Sequence, residues 1–393
     1  MRGKFGRPEV HSPAMRPSPP SETETLRLGL EEIRRRLPVG WKVDATQEPR
    51  KATTKGLRVL DALLRLKGPD GKCAEIAIEV KSDGSPRTTR SALQQLRSWD
   101  SGAAMLFVAP FLPRRSREIA EEAGANYADL TGNIRLAISR PALFLRDCGA
   151  NTNPYPGKEV ERSLGGASAA RVILWICQLK PPITRWLLTE VAKGSGVSLA
   201  YVSRLTKLLE REDLIRREPR GPILETDRPG LVRRWAQDFD LLRTNRSRLY
   251  LDPRGAKRAL DALGTTGFQR QQIGRIAVTG SFAANRYAPI ATPSKLVCYV
   301  SDIEVTARAL DLSPATTTGN VFLLSPYDEI VFDTVYEGIP GPGKTLIPMA
   351  APAQIAVDCL TGPDRMPEEG EALLAWLQKK WDGWKGFGSK VQA

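Results

Sequence analysis

Histidine is almost missing: the 393 residues contain one, His11, in a Pro-rich stretch near the start. Chemistry that turns on an imidazole is therefore excluded from the rest of the chain. Cysteine is sparse as well. Cys73, Cys148, Cys177, Cys298 and Cys359 stand singly with no C-x-x-C pair, which argues against structural zinc and against a disulfide scaffold. They read as buried thiols in a reducing compartment. No apolar run approaches a membrane span, which needs about 20 residues; the longest is "AAMLFVAPFL". The N-terminus lacks the charged, apolar and small-residue regions of a signal peptide. The expectation is a cytoplasmic protein with no membrane partner.

The charge balance is the informative quantity. Lys and Arg number 58 against 44 Asp and Glu, a net charge of +14. The excess is segregated: from Ser301 onward 13 acidic side chains face 7 basic ones, so the preceding part carries about +20. Such a basic region needs an anionic partner, and nucleic acid is the commonest.

The stretch "EGIPGPGKTL" fits the phosphate-loop pattern at Gly338, Gly343, Lys344 and Thr345. Pro340 and Pro342 lack the N–H groups such a loop uses, and Pro348 falls where its helix should run. The upstream "EIVFDTVYE" reads as a strand, so this segment is expected to be a Gly/Pro connection between two sheet elements.

Composition and periodicity divide the chain. Residues 1–22 are a Pro/Ser/Gly/Arg-rich tail expected to be disordered. Residues 23–148 read as one mixed α/β domain: a helix carrying Leu26, Leu30, Ile33 and Leu37 on one stripe, three strands, then helix, strand, helix, strand. A Gly/Asn/Pro linker spans 149–167. A DNA-binding domain is expected over 168–245, an α+β C-terminal domain over 246–385, and a tail over 386–393.

The middle domain has the pattern of a winged helix-turn-helix. Ala192 supplies a small residue where two helices approach, Gly196 the left-handed turn, and Val202 the apolar anchor of the second helix. Ser198 is placed to cap that helix. Val202, Leu205 and Leu209 form its inward stripe, which leaves Ala200, Ser203, Arg204, Lys207 and Arg211 outward, facing a major groove. Arg204 suits guanine or phosphate, Ser203 backbone or base edges, and Lys207 phosphate; Tyr201 sits at the boundary. "LIRREPRGPILET" reads as two short strands, a basic wing whose Arg216, Arg217 and Arg220 reach the neighbouring backbone or minor groove.

From Ser168 to Trp376 the chain resembles the AbiEi-type antitoxins of type IV toxin-antitoxin systems. The resemblance rests on the winged module followed by "VTGSFAANRYAPIATPSKLVCYV", "VFLLSPYDEIVFD" and "APAQIAVDCLTGPDRMPEEGEALLAWL". It implies operator binding, autorepression and a C-terminal domain that helps bind DNA or neutralises a nucleotidyltransferase toxin. The N-terminal α/β domain is additional to that plan. Gly280 and Ser281 followed by Asp302 and Glu304 faintly match a nucleotidyltransferase's Gly-Ser turn and D-x-[DE] strand pair, but the intervening stretch is too long for that pattern and contains two prolines.

The N-terminal element order, with Asp61 on one strand and "IEVKS" on the next, resembles the PD-(D/E)xK restriction-endonuclease-like superfamily. Leu60 stands where the motif usually has proline. The resemblance implies that Asp61 and Glu79 hold Mg²⁺ against a scissile phosphate, while Lys81, on Glu79's face, orients or activates water. Glu31 or Glu32 in the first helix and Gln94 or Gln95 in the next are candidates to complete the site. Two readings follow: a repressor or antitoxin that binds double-stranded DNA as a homodimer, or a Mg²⁺-dependent nuclease delivered to DNA by the wing.

Overall fold

The computed structural model describes residues 18–47, 50–53, 56–99, 102–155, 163–178, 185–218, 221–265, 274–333 and 338–388. Arg220 and the chain before residue 18 lie outside the described residues. The chain forms two compact units, Met1–Val160 and Glu161–Ala393, both mixing helices and strands. Among the described residues no helix is long and apolar enough to cross a membrane.

The first unit opens with α1 (Glu22–Arg36), β1 (Lys42–Gln47), β2 (Arg50–Thr53), β3 (Gly56–Val59), β4 (Ala62–Lys67) and β5 (Cys73–Val80). It continues through α2 (Pro86–Arg97), β6 (Ala104–Ala109), α3 (Arg114–Glu122), β7 (Asn126–Asp129), β8 (Ile134–Ile138) and β9 (Leu143–Asp147). Seven strands form one mixed sheet in the order β1-β4-β5-β6-β7-β8-β9, and β2 and β3 pair separately. β5, β6 and β7 run parallel, and the flanking pairs are antiparallel.

Strand alternation sends successive side chains to opposite faces, so the unit has two cores. Ile76, Ile78, Leu106 and Val108 meet Leu26, Leu30 and Ile33 of α1 on one side. Ala77 and Phe107 meet Leu93 and Leu96 of α2 and Ile119 of α3 on the other. α1 lies so close that a Cβ on Gly29 would come within 2.7 Å of Val108 Cγ1. The expected strand "LRVLDALLRL" divides at Leu60 and Asp61 into β3 and β4. The pair β8 and β9 was not separately expected: five residues each are too short to give a firm periodicity.

The second unit begins with α4 (Ala167–Ile176), α5 (Leu188–Ser195), α6 (Leu199–Arg211), the hairpin β10 (Ile215–Arg217) and β11 (Ile223–Thr226), then α7 (Arg228–Trp235) and α8 (Leu241–Thr244). A sheet follows, built from β12 (Arg246–Leu251), β13 (Ile276–Thr279), β14 (Leu296–Val300), β15 (Ser313–Pro314) and β16 (Val321–Ser325), in the order β13-β14-β16-β12-β15. α9 (Ala256–Thr265) and the helix Pro352–Leu360 pack against it, and the helix Met366–Gly388 packs on Pro352–Leu360. One continuous apolar cluster runs from Leu164 through Trp235 and Tyr299 to Trp381. Arg171 of α4 adds a bidentate pair with Asp328, at 2.7 and 3.0 Å.

The phosphate-loop look-alike is a hairpin, β17 (Gly338–Pro340) and β18 (Leu346–Pro348), closed by Gly341 N donating to Thr345 O at 2.8 Å. Upstream, Ile330–Asp333 is a short helix where a strand was expected; its Val331 and Phe332 are buried by packing, which sequence alternation alone does not distinguish from strand burial.

Candidate nucleic-acid interface and carboxylate cluster

The helix pair α5 and α6 is set by local chemistry. Gly196 ends α5 at φ +67°, a left-handed conformation favoured by glycine, with its N–H donating to Ala192 O. α5 also lies close to α4 at Gly194, where a Cβ would come within 1.9 Å of the Trp175 indole. Ser198 caps α6 by accepting from Tyr201 N at 3.3 Å. Val202, Leu205 and Leu209 are fully buried, and Thr206 satisfies its hydroxyl on Val202 O at 2.9 Å. Ala200, Arg204 and Lys207 are exposed, and Tyr201, Ser203 and Arg211 are half-buried. The Arg204 guanidinium lies 5.9 Å from the Tyr201 ring centre.

The hairpin behaves differently. Arg216 stands opposite Glu225 in the β10–β11 register and forms a two-bond ion pair with it. Arg217 turns back to Glu210 on α6 at 3.1 Å, with both side chains less than a fifth exposed. It fastens the hairpin to the helix. Trp186 pairs through its backbone with Ile223 at 2.8 and 3.2 Å and extends the hairpin by one bridge. Sequence reading missed Glu210 and Trp186, since neither belongs to the basic pattern.

In the first unit Asp61, Glu79 and Lys81 converge at one end of the sheet. Asp61 Oδ2 accepts from Val80 N at 2.7 Å, tying the start of β4 to the end of β5. Glu79 is buried and ion-pairs with Lys81. Burial pushes the Glu79 carboxyl above the usual range; the Lys81 hydrogen bond opposes this, and the charges of Asp61 and Glu22 add to it. Glu22 is the helix acid that reaches this end, accepting from Ser82 N at 3.1 Å. The expected candidates are corrected here: Glu31 pairs with Arg27, and Glu32 with Arg35 and Arg36. Only the first turn of α1 meets the strand end. Gln94 and Gln95 are exposed on α2.

Carboxylate oxygens are the hard donors that Mg²⁺ prefers, and Mg²⁺ sites often use one or two carboxylates with water. Asp61 and Glu79 fit that donor chemistry. Among the described residues no group of three or more His, Cys, Asp or Glu is arranged to hold a metal ion.

The faint nucleotidyltransferase-like pattern does not form a strand pair either. Asp302 and Glu304 are not on a strand: β14 ends at Val300, Asp302 caps the helix Ile303–Ala309 by accepting from Val305 N at 2.9 Å, and Glu304 lies in its first turn. An Asp after a strand end is a favourable helix cap, which the D-x-E spacing alone cannot exclude. One deeply buried acid of this unit is Asp358. It accepts from Thr279 Oγ1 at 2.6 Å, Gln354 Nε2 at 2.8 Å and Tyr299 OH at 2.9 Å. Burial pushes its carboxyl up to about 7 against those three bonds.

No protein-family model, no curated protein and no solved structure matches the chain.

Proposed function

We propose that the protein binds double-stranded DNA through a winged helix-turn-helix made of α5, α6 and the β10–β11 hairpin. The observation that carries this reading is the division of α6: a fully buried Val202, Leu205 and Leu209 stripe opposite exposed Arg204 and Lys207. Such a helix presents charge and hydrogen-bonding groups to a groove while its other side anchors it. Arg204 reads guanine or clamps phosphate, and Ser203 and Lys207 contact the backbone beside it. Arg216 contacts the flanking backbone after exchanging Glu225 for phosphate, whereas Arg217 positions the hairpin.

With the AbiEi-like arrangement of segments, the biological role is an autorepressor or antitoxin. It binds a palindromic operator as a homodimer, with a nucleotidyltransferase toxin as its cognate partner. The test is duplex affinity, measured by fluorescence anisotropy, of a folded Arg204→Ala/Lys207→Ala variant, expected to fall at least about tenfold.

The convergence of Asp61, Glu79 and Lys81 supports a second reading, a Mg²⁺-dependent PD-(D/E)xK nuclease. Bound Mg²⁺ would supply Lewis-acid stabilisation of the phosphate charge. Asp61 and Glu79 would hold the ion, and Lys81 would orient the attacking water. Nicking of supercoiled plasmid with Mg²⁺ or Mn²⁺, lost in both Glu79→Ala and Lys81→Ala, would establish it; no nicking by the parent protein removes it.

A further inference from the structure

Helix α4 meets the helix-turn-helix at two successive turns. Trp175 occupies the space beside Gly194, and its ring meets Trp186, the residue bridged to β11, edge-on at 5.5 Å. One turn earlier stands Arg171. Its Nη1 lies 3.7 Å from where a Cβ on Gly196 would sit, at the C-terminal end of α5, where a helix favours positive charge. The other two guanidinium nitrogens are committed: Nε and Nη2 donate to Asp328 Oδ2 and Oδ1 at 3.0 and 2.7 Å. The Asp328 side chain is only 10% exposed, and its Oδ1 also accepts from Ile330 N at 2.8 Å.

Asp328 is in turn fixed from inside the C-terminal sheet. Its neighbour Tyr327 donates through its N–H to Asn245 Oδ1 and through its hydroxyl to Gln354 Oε1, both at 2.9 Å, and Gln354 Nε2 donates to Asp358 at 2.8 Å. On the far side Arg275 ion-pairs with Glu329 and Asp333 and lies over the Phe332 ring at 4.9 Å. A connected set of side chains thus leads from the buried Asp358 to the turn between α5 and α6. Adhesion alone does not call for it. Val172, Ile173 and Ile176 already bury α4, and a desolvated ion pair adds little net stability to such packing. What a two-bond Arg–Asp fork adds is a fixed distance and angle.

We infer that Arg171 and Asp328 are positioning residues for DNA reading: the pair holds the turn at Gly196, and through it the start of α6, in the orientation that meets a groove, and so makes duplex affinity depend on the C-terminal sheet. The inference rests on the preceding reading for its ligand. A direct phosphate contact by Arg171 fits less well, because two of its three nitrogens are spent on Asp328 and the third lies against the turn.

The experiment uses the full chain and two readouts. In the free protein, amide hydrogen exchange at Gly196, Val197 and Val202, whose N–H groups bond across the turn and the start of α6, should rise about tenfold in both Asp328→Asn and Arg171→Gln, while the β12–β16 ladder keeps its protection. Against a duplex selected from a random pool with the parent protein, each variant should bind about five- to tenfold more weakly, and the double variant no more weakly than the worse single one. The sign is diagnostic. Asp328→Asn removes a negative charge, which by long-range electrostatics alone would tighten binding to a polyanion. Glu371→Gln removes the same charge from the exposed pair with Arg233; it should bind no more weakly than the parent and leave exchange at the turn unchanged. Arg171→Lys keeps the charge without the fork and should remain weakened. Unchanged exchange at the turn, unchanged or tighter binding by Asp328→Asn, full affinity in Arg171→Lys, or additive losses in the double variant each overturn the inference. A parent protein that binds no duplex, with exchange at the turn still rising in the variants, overturns the DNA-binding reading instead and leaves the pair as the support of the turn.

Discussion

The outward face of α6 and the strand end around Glu79 are both charged, but they are built in opposite ways. At the strand end the charges face each other: Lys81 pairs with Glu79, and Asp61 is tied to Val80 N. On α6 the apolar side is entirely satisfied by the core, and Arg204 and Lys207 stand out from it into solvent. A buried, self-matched cluster has to exchange partners before it can act on a ligand, whereas an exposed helix face is already accessible to one. The difference explains why the helix carries the leading functional reading and the carboxylates the second one.

The largest effect that would sharpen this contrast is catalytic. If the strand end acts on phosphodiesters, Lys81→Ala should reduce metal-dependent nicking about 10²–10⁴-fold, and a plasmid relaxation assay would reveal it. Duplex affinity should be nearly unchanged, because binding is assigned to other surfaces. Equal nicking by parent and variant would mean that the convergence is only a structural ion pair.

The scaffold of α6 gives the next effect. Leu205→Ala removes a fully buried side chain and should cost about 2–5 kcal/mol in urea unfolding. Duplex binding should be lost in step with folding. Were the loss of stability below about 1 kcal/mol, α6 would not be anchored as described.

A smaller effect concerns the acid buried without any basic partner in its hydrogen-bond set, Asp358. Its folded-state value of about 7 lies above the ordinary value of 3.8, so the folded protein holds this proton more tightly than the unfolded chain does. Its contribution to stability is therefore greatest at low pH and declines as pH rises from about 4 to about 7, by a few kcal/mol at most. Asp358→Asn should flatten that part of a melting-temperature profile against pH. An unchanged slope would assign the decline to other groups.

The smallest effect separates the two hairpin arginines. Arg217→Ala breaks a largely buried pair with Glu210 and should cost about 1–2 kcal/mol. Arg216→Ala, on the exposed surface, should leave the melting temperature where it was but increase the dissociation constant for duplex.

Much of this architecture was legible beforehand because long helices announce their buried side at every third or fourth residue. Val202, Leu205 and Leu209 on α6 and Leu26, Leu30 and Ile33 on α1 are instances. The triplet Glu79-x-Lys81 was equally visible, since alternation puts both side chains on one face. Its neighbourhood was not. Glu22 is 57 residues before Glu79, and only the packing of α1 against the sheet brings its first turn to that end, whereas Glu31 and Glu32 point to local arginines. Arg217 illustrates the same limit: its basic character was apparent, but its partner Glu210 is decided by how the hairpin folds back. Asp302 was misread as a strand residue because an isolated carboxylate after an apolar run suits a helix cap just as well.

The most direct test is the affinity of the Arg204→Ala/Lys207→Ala protein for duplex DNA at moderate salt, with its fold verified by circular dichroism. Binding weakened at least about tenfold, with a shallower salt dependence, is the predicted result. A folded variant that holds duplex as tightly as the parent would contradict the assignment of α6 as the DNA-contacting helix.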